Sequence, residues 1–219
     1  GSITGRSKIV GIALAVEGWS GYYPIAHEGG GNMDEKIVMD YFRTILNYPS
    51  TKIFHNAMYD VCFIRAAGLK INGTIVDTMI AGSLVDENRF RYDLGSMGRD
   101  YLGRGKNEAV LNETAAIWGV DPKSEMYKLP AMYVGEYAER DAEMTLELWQ
   151  NMKQEIQHQD IQSIFDLETE LFPCLVDMRF LGVRVDIQAA NELKDKLSSE
   201  EKECLLKAVS YTHLTLPTR

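Results

Sequence analysis

The chain is short of cysteine. It has three, Cys62, Cys174 and Cys204, each in a helical pattern and none in a Cys-x-x-Cys pair. An odd count without paired spacing does not describe a disulfide framework, so reduced thiols in a cytoplasmic protein are expected. No apolar run reaches the ~18 residues of a membrane span. The N-terminus lacks the charged-then-apolar layout of a secretory signal. No membrane partner is therefore expected. Positive charge is scarce too: 23 Lys and Arg face 32 Asp and Glu, a net charge of −9. A protein that holds duplex DNA on a broad basic face needs the opposite balance. The glycine-rich loop HEGGGN, His27 to Asn32, has no Gly-Lys-Ser/Thr after it, so it does not read as a phosphate-binding P-loop.

The charge deficit is uneven. Residues 1–110 carry twelve basic and twelve acidic side chains, while residues 111–219 carry eleven against twenty. A site that grips a few nucleotides through metal ions needs no large basic face. The acidity lowers the case for a nucleic-acid substrate without closing it.

The pattern present is α/β. KIVGIALAVEG is a strand, Gly18–Gly21 turns it, and Tyr22–Ile25 returns. His27 in the following loop could reach a site at the sheet edge. Asp34 can cap a helix through Val38, Phe42 and Leu46. Thr51–His55 is a strand running into a helix from Asn56 to Ala67, stopped by Gly68. Thr74–Val76 is a short strand, and Asp77 caps the next helix. Hairpin, helix, strand, helix, strand, helix predicts a mixed sheet flanked by helices. Between Asn88 and Lys106 lie Arg89, Arg91, Arg99, Arg104 and Lys106. They are either a solvated helix face or contacts for backbone phosphates, which need charge rather than base readout. A helix over Val110–Trp118 and a linker over Asp121–Pro130 follow.

YAERDAEMTLEL, Tyr137 to Leu148, is the stretch on which function turns. Val134, Ala138, Thr145, Leu148 and Met152 recur at helical steps. Asp141 falls on that same face, with Tyr137 one turn earlier. A carboxylate there is solvated at the edge of the stripe, paired with a charge near Arg140, or a metal ligand with a phenol beside it to orient water. A second pair, Asn56 and Asp60 in HNAMYD, repeats the four-residue spacing at another helix start. Two such carboxylates could converge on divalent ions.

FHNAMYD followed by YAERDAEMTLEL resembles the second and third motifs of the 3′–5′ proofreading exonuclease domain of family A, DNA polymerase I-like enzymes. These belong to the tyrosine branch of the DEDD superfamily. DLETELFPCLVDMRFLGVRVD, Asp166 to Asp186, is similar to the opening of the polymerase region in the same family. The resemblance implies a ribonuclease H-like mixed sheet flanked by helices over 1–157. It implies the first helices of a polymerase thumb region over 158–209. Residues 210–219, SYTHLTLPTR, read as a non-native tail, and GSITGRS at the start reads as a loop or non-native end.

The same resemblance implies a site. Asp60 and Asp141 would be metal ligands and catalytic carboxylates, and Tyr137 would orient the attacking water. Asn56 would support the site and the terminal nucleotide. From the residues themselves, apart from the resemblance, His27, Arg89 and Arg91 are further candidate substrate contacts. Two Mg2+ ions, or Mn2+ in their place, are implied. The implied partners are a single-stranded DNA 3′ end and the polymerase domain of the same full-length chain. One departure stands out. The family's Asp-x-Glu motif should precede the first hairpin, and only seven residues stand there, none acidic. The expectation is a fragment that starts after a central strand and has little exonuclease activity alone. Two other readings compete: a catalytically silent scaffold of the same fold, and a stand-alone RNA-trimming exonuclease. The polymerase-like segment argues against the second of these.

Overall fold

The computed structural model describes residues 8–212. They divide into two units, one ending at Phe180 and the other beginning at Leu181.

The first unit opens on an antiparallel hairpin. β1 (Gly11–Val16) pairs with β2 (Trp19–Pro24), with Gly11 opposite Pro24 and Val16 opposite Trp19. Gly18 makes the turn at φ 78, a backbone that suits glycine. β3 (Lys52–Phe54) and β4 (Ile75–Asp77) run parallel, with Lys52 opposite Ile75. The chain is α/β, as its pattern predicts. The strands differ from the single mixed sheet expected: among the described residues they form two separate pairs. Backbone ladders need strands at a spacing of about 4.8 Å, and no described strand lies between the pairs. Helix α6 joins them instead by packing on β1, β2 and β3.

Each helix has a local cause. Asp34 caps α1 (Glu35–Asn47), its Oδ1 accepting from the Ile37 N–H at 2.9 Å. Val38, Phe42 and Leu46, one turn apart, bury that helix against Ile12 and Ile25 of the hairpin region. The second core lies under α6 (Ala131–His158), whose Met144, Leu148, Met152 and Ile156 meet several neighbours. These are Val76 of β4, Ala81 of α3 (Thr78–Val85), and Leu94 and Met97 of α4 (Leu94–Leu102). Phe165 of α7 (Gln162–Leu181) closes the same cluster. Phe172 and Val176, further along α7, pack on Ala57, Val61 and Cys62 of α2 (Ala57–Ala66). Most of α7 thus belongs to the first unit by packing, although the sequence opens a new segment at 158.

Residues 121–130 are not the open linker expected. After α5 (Ala109–Trp118) they hold a 3-10 turn at Met126–Lys128 and then Leu129, which is fully buried. The Glu28 N–H donates to the Tyr127 carbonyl at 2.8 Å, tying this stretch to the glycine-rich loop. One apolar anchor is enough to pull a polar segment down.

In the second unit α8 (Ile187–Thr212) starts on Asp186, whose carboxylate accepts from the Ala189 N–H at 3.0 Å. It continues three residues into the segment expected to be non-helical. Residues 213–219 and the first seven lie outside the described residues. No helix among the described residues is long and apolar enough to cross a membrane.

Candidate active site

The face of α6 that carries Tyr137 and Asp141 meets one cation. Lys106 Nζ donates to Asp141 Oδ2 at 2.5 Å and to Tyr137 Oη at 3.1 Å, and it lies 5.1 Å from the Tyr137 ring centroid. Lys106 and Asp141 each keep 23% of their side-chain surface exposed. The three line a cavity of about 100 Å3 with Arg104, Asn107, Arg140 and Met144. Burial pushes the Asp141 carboxyl up, and the Lys106 contact opposes that shift without cancelling it. Burial works against the Lys106 ammonium as well, yet the Asp141 hydrogen bond and charge outweigh it and hold the proton more tightly. A carboxyl pushed up and a lysine pushed up pull opposite ways on one pair. We read the pair as ionised at neutral pH, because the short contact satisfies both charges. Burial first, then the Asp141 charge, raises the Tyr137 phenol, so Tyr137 keeps its proton.

Glycine places Lys106. A Cβ on Gly98 of α4 would sit 2.6 Å from Met144 Sδ and 2.7 Å from the Arg104 carbonyl oxygen. Without it α4 lies close on α6. Gly103 then turns the chain at φ 68, and the Arg104 N–H donates back to the Gly98 carbonyl at 3.2 Å. Lys106 follows two residues later, over Asp141.

The second cluster gathers on Asp77. As expected from its position, Asp77 caps α3, with Oδ1 accepting from the Met79 N–H at 2.8 Å. The same carboxylate also accepts from the Asn56 N–H at 2.9 Å and the Ala57 N–H at 2.7 Å. It therefore fixes the starts of α2 and α3 together. This corrects the expected placement of Asn56. It stands outside α2 in the left-handed region, φ 61 and ψ 53, with no side-chain capping bond. Asparagine tolerates that region better than most residues. Asp60 lies in the first turn of α2. Desolvation first, and also the Asp77 charge, raise its carboxyl to about 6. Asp60 is nevertheless solvent-exposed. Water reaches it, so desolvation acts less than that shift implies, and the nearby Asp77 charge is what a cation there would offset.

His55 adjoins the Asp77 cluster through Thr78. Its Nδ1 lies 2.9 Å from Thr78 Oγ1, and its buried Nε2 has no partner. Burial lowers its pKa, with the Lys106 charge lowering it further and the Asp77 charge opposing.

The three further expected substrate contacts, His27, Arg89 and Arg91, have separate surroundings. His27 is buried, with one ring nitrogen 2.6 Å from Tyr22 Oη and the other 2.9 Å from the Leu129 carbonyl. Both nitrogens are engaged within the protein, which leaves none for a substrate; His27 fastens Leu129 instead. Arg89 pairs with Asp100 at 2.7 Å and lies 5.2 Å from the Tyr101 ring centroid. It braces its loop. Arg91 is exposed and remains available to an anion.

The sequence model of a family described as 3′–5′ exonuclease matches residues 2–157. The chain belongs to the 3′–5′ exonuclease family of family A DNA polymerases. The chain is 34% identical over 211 residues to a DNA-directed DNA polymerase of Pseudomonas phage M6. That match spans 94% of this chain and 32% of the relative. It is 26% identical over 213 residues to DNA polymerase I of Pseudomonas aeruginosa, covering 90% of this chain and 23% of that protein. The chain thus spans about a third or less of these relatives. Among solved structures, one described as the apo form of the nuclease is similar with a TM-score of 0.62 at 18% identity. It covers 83% of this chain and 81% of its own. The POL domain of Pol1 from M. smegmatis, with primer-template DNA and dNTP, is similar with a TM-score of 0.61 at 18% identity. Here 95% of this chain and 32% of that one are covered. At that identity the two structures establish the fold alone.

Exonuclease domains of this family are generally metal-dependent. The donors here fit in kind, since carboxylate oxygens suit hard divalent ions. They fall short in number: among the described residues no three Asp, Glu, His or Cys side chains come together around one point. Sequence reasoning counted Lys106 with the basic stretch and did not pair it with Asp141, and it gave His55 no role of its own. The signal for Lys106 was Gly103-Arg104-Gly105, a turn able to fold a cation back onto the preceding helix's neighbour.

Proposed function

We propose that this domain removes nucleotides from an unpaired DNA 3′ end, editing for a polymerase domain in the same parent chain. The observation that carries the proposal is Tyr137 and Asp141 lining one half-buried cavity on α6, in a chain whose family is that of exonuclease domains. Asp60 and Asp141 are the residues to hold the ions, Mg2+ or Mn2+. When bound, such ions would supply a hydroxide at neutral pH and neutralise charge on the leaving oxygen. Tyr137, protonated because its phenol is raised, orients the attacking water through Oη. Asn56 and Arg91 position the terminal nucleotide and its phosphate. A paired end must unpair before it enters a cavity of this size, so the substrate is single-stranded. Functionally the domain ends near residue 157, and 158–209 begins the polymerase part, even though α7 packs against the exonuclease unit.

The donor count makes a second statement: the described residues alone do not complete the ion pair. With the donors of the described residues alone, little exonuclease activity is expected until further carboxylates complete the site. A silent scaffold is the second reading, favoured by Lys106 occupying the position beside Asp141 where an ion would bind. The test is degradation of an end-labelled single-stranded DNA in Mg2+ by this chain and by a version carrying an upstream Asp-x-Glu strand, with Asp141→Ala of the longer form as control. Cutting by the longer form alone, abolished by Asp141→Ala, supports the proposal. Cutting by neither gives the scaffold reading the lead. Robust cutting by the short form overturns the ligand assignment.

A further inference from the structure

The loop between α3 and α4 holds an aromatic side chain that the fold does not use. Phe90 is fully exposed, at 104% of its reference surface, the highest value among the exposed large hydrophobic residues. Scattered apolar residues on a surface need no explanation. This one differs because its loop is held still. The Tyr92 hydroxyl donates to the Asp86 carbonyl at 2.8 Å, and the Asn88 N–H donates to Asp86 Oδ1 at 3.1 Å. Arg89 Nε donates to the Arg91 carbonyl at 3.3 Å, while its other end is paired with Asp100. Tyr92, two residues from Phe90, packs against the core under α6. The loop is thus anchored on both sides, and collapse that would bury an apolar ring has not occurred. Arg91, the next residue in the chain, is exposed and cationic, while Glu87 on the same loop is exposed and anionic.

We propose that Phe90 is a stacking platform for an unpaired base of single-stranded DNA, with the adjacent backbone phosphate lying on the Arg91 side. A flat aromatic face next to one cation is the chemistry that single-stranded nucleic acid recognises: bases stack, phosphates pair, and little sequence is read. Glu87 repels phosphate, so the strand runs past Arg91 and away from Glu87. The backbone that carries the ring is anchored by the Tyr92, Asn88 and Arg89 hydrogen bonds, which lowers the cost of ordering the loop on binding. The inference rests on the reading of the substrate as an unpaired DNA end and adds to it a contact outside the Tyr137 and Asp141 cavity.

The test is binding of a fluorescent oligo-dT to the full chain in EDTA, followed by anisotropy, so that no cleavage intervenes. Phe90→Ala should weaken binding by roughly 5- to 100-fold, the loss expected for one stacked base. Phe90→Trp should bind as the parent does, and its added emission should be quenched on adding the oligonucleotide. An abasic oligomer of equal length, which offers phosphates and no bases, should bind the parent and Phe90→Ala alike. Equal loss on the abasic oligomer, or no loss on oligo-dT, overturns the stacking role while leaving the exonuclease reading intact. No binding of either oligomer by the parent chain overturns the stacking role, while the exonuclease reading stands or falls on the cleavage test. Unchanged thermal midpoints for both variants, expected for a residue that touches nothing, exclude misfolding as the cause of any loss.

Discussion

Replacing Lys106 by Met isolates the charge that faces Asp141. Methionine keeps an unbranched apolar stem of similar length, so packing changes little while the ammonium is lost. Two unit charges about 4 Å apart attract by ~4 kcal/mol at an effective dielectric of 20. Breaking a buried pair from one side costs ~3–5 kcal/mol. Both side chains keep 23% of their surface, which places the expected loss lower, at about 2–3 kcal/mol. In a chain of this size that lowers the melting midpoint by about 5–10 °C. The loss must depend on pH. Burial already raises the folded-state pKa of Asp141, and Lys106 is what opposes the shift. In the variant it rises further. A raised carboxyl binds its proton more tightly in the folded state, so ionising it destabilises the fold as pH climbs. The gap between parent and variant is therefore small near pH 4 and opens towards pH 8. Lys106 itself is raised, so its contribution holds through neutral pH and disappears only in strongly alkaline solution. Urea unfolding at pH 4 and pH 8 measures the gap. Asp141→Asn in the Lys106→Met background should recover most of the loss, giving a coupling of about 2 kcal/mol. A gap equal at both pH values, or a coupling near zero, would refute the argument.

Gly98→Ala should cost ~1–3 kcal/mol, because the new Cβ meets the Arg104 carbonyl at 2.7 Å as well as the more yielding Met144; a melting midpoint within 1 °C of the parent, about the error of the measurement, would show that α4 moves aside freely. Asp77→Ala removes the acceptor of three backbone N–H groups and should cost about 3 kcal/mol or more, with faster amide hydrogen exchange at the starts of both α2 and α3; faster exchange at α3 alone would reduce Asp77 to an ordinary cap. His55 has a lowered pKa, so the folded state holds it neutral while the unfolded chain takes up a proton below about pH 6.5. The stability this supports is present above that pH and is lost as pH falls, and His55→Gln should flatten the decline in urea midpoint between pH 7 and pH 5; an unchanged slope would assign the decline to other groups.

What the sequence makes legible is whatever acts within a few residues. Asp34 and Asp77 read as caps because a cap and its acceptor lie within one turn, and α6 reads as a helix because its stripe repeats through Val134, Leu148 and Met152. Asn56 shows where local spacing misleads. A four-residue interval to Asp60 suggests a shared face only if both residues are helical. Asp77, twenty-one residues on, draws the Asn56 N–H towards itself, and that bond holds Asn56 in the left-handed region outside the helix. His27 shows the same limit, since its partner Leu129 is 102 residues away.

The basic stretch from Arg89 to Lys106 carries the lesson furthest. As a sequence it is one block of charge suited to phosphates. In the fold Arg89 goes to Asp100, Arg104 to Glu147 and Lys106 to Asp141, and Arg91 alone of the two expected contacts faces solvent. Residue type fixes what a side chain can do, and the approach of α4 to α6 at Gly98 decides which partner it meets. A carboxylate at 141 with a phenol at 137 therefore suggests a metal-type site in sequence, while the Lys106 ammonium that pairs with Asp141 is visible only once two helices have packed. That division also explains why the exonuclease reading rests on Tyr137 and Asp141, whose relation is local, and why the contacts to DNA must be argued from exposed groups such as Arg91 and Phe90, whose freedom only the fold reveals.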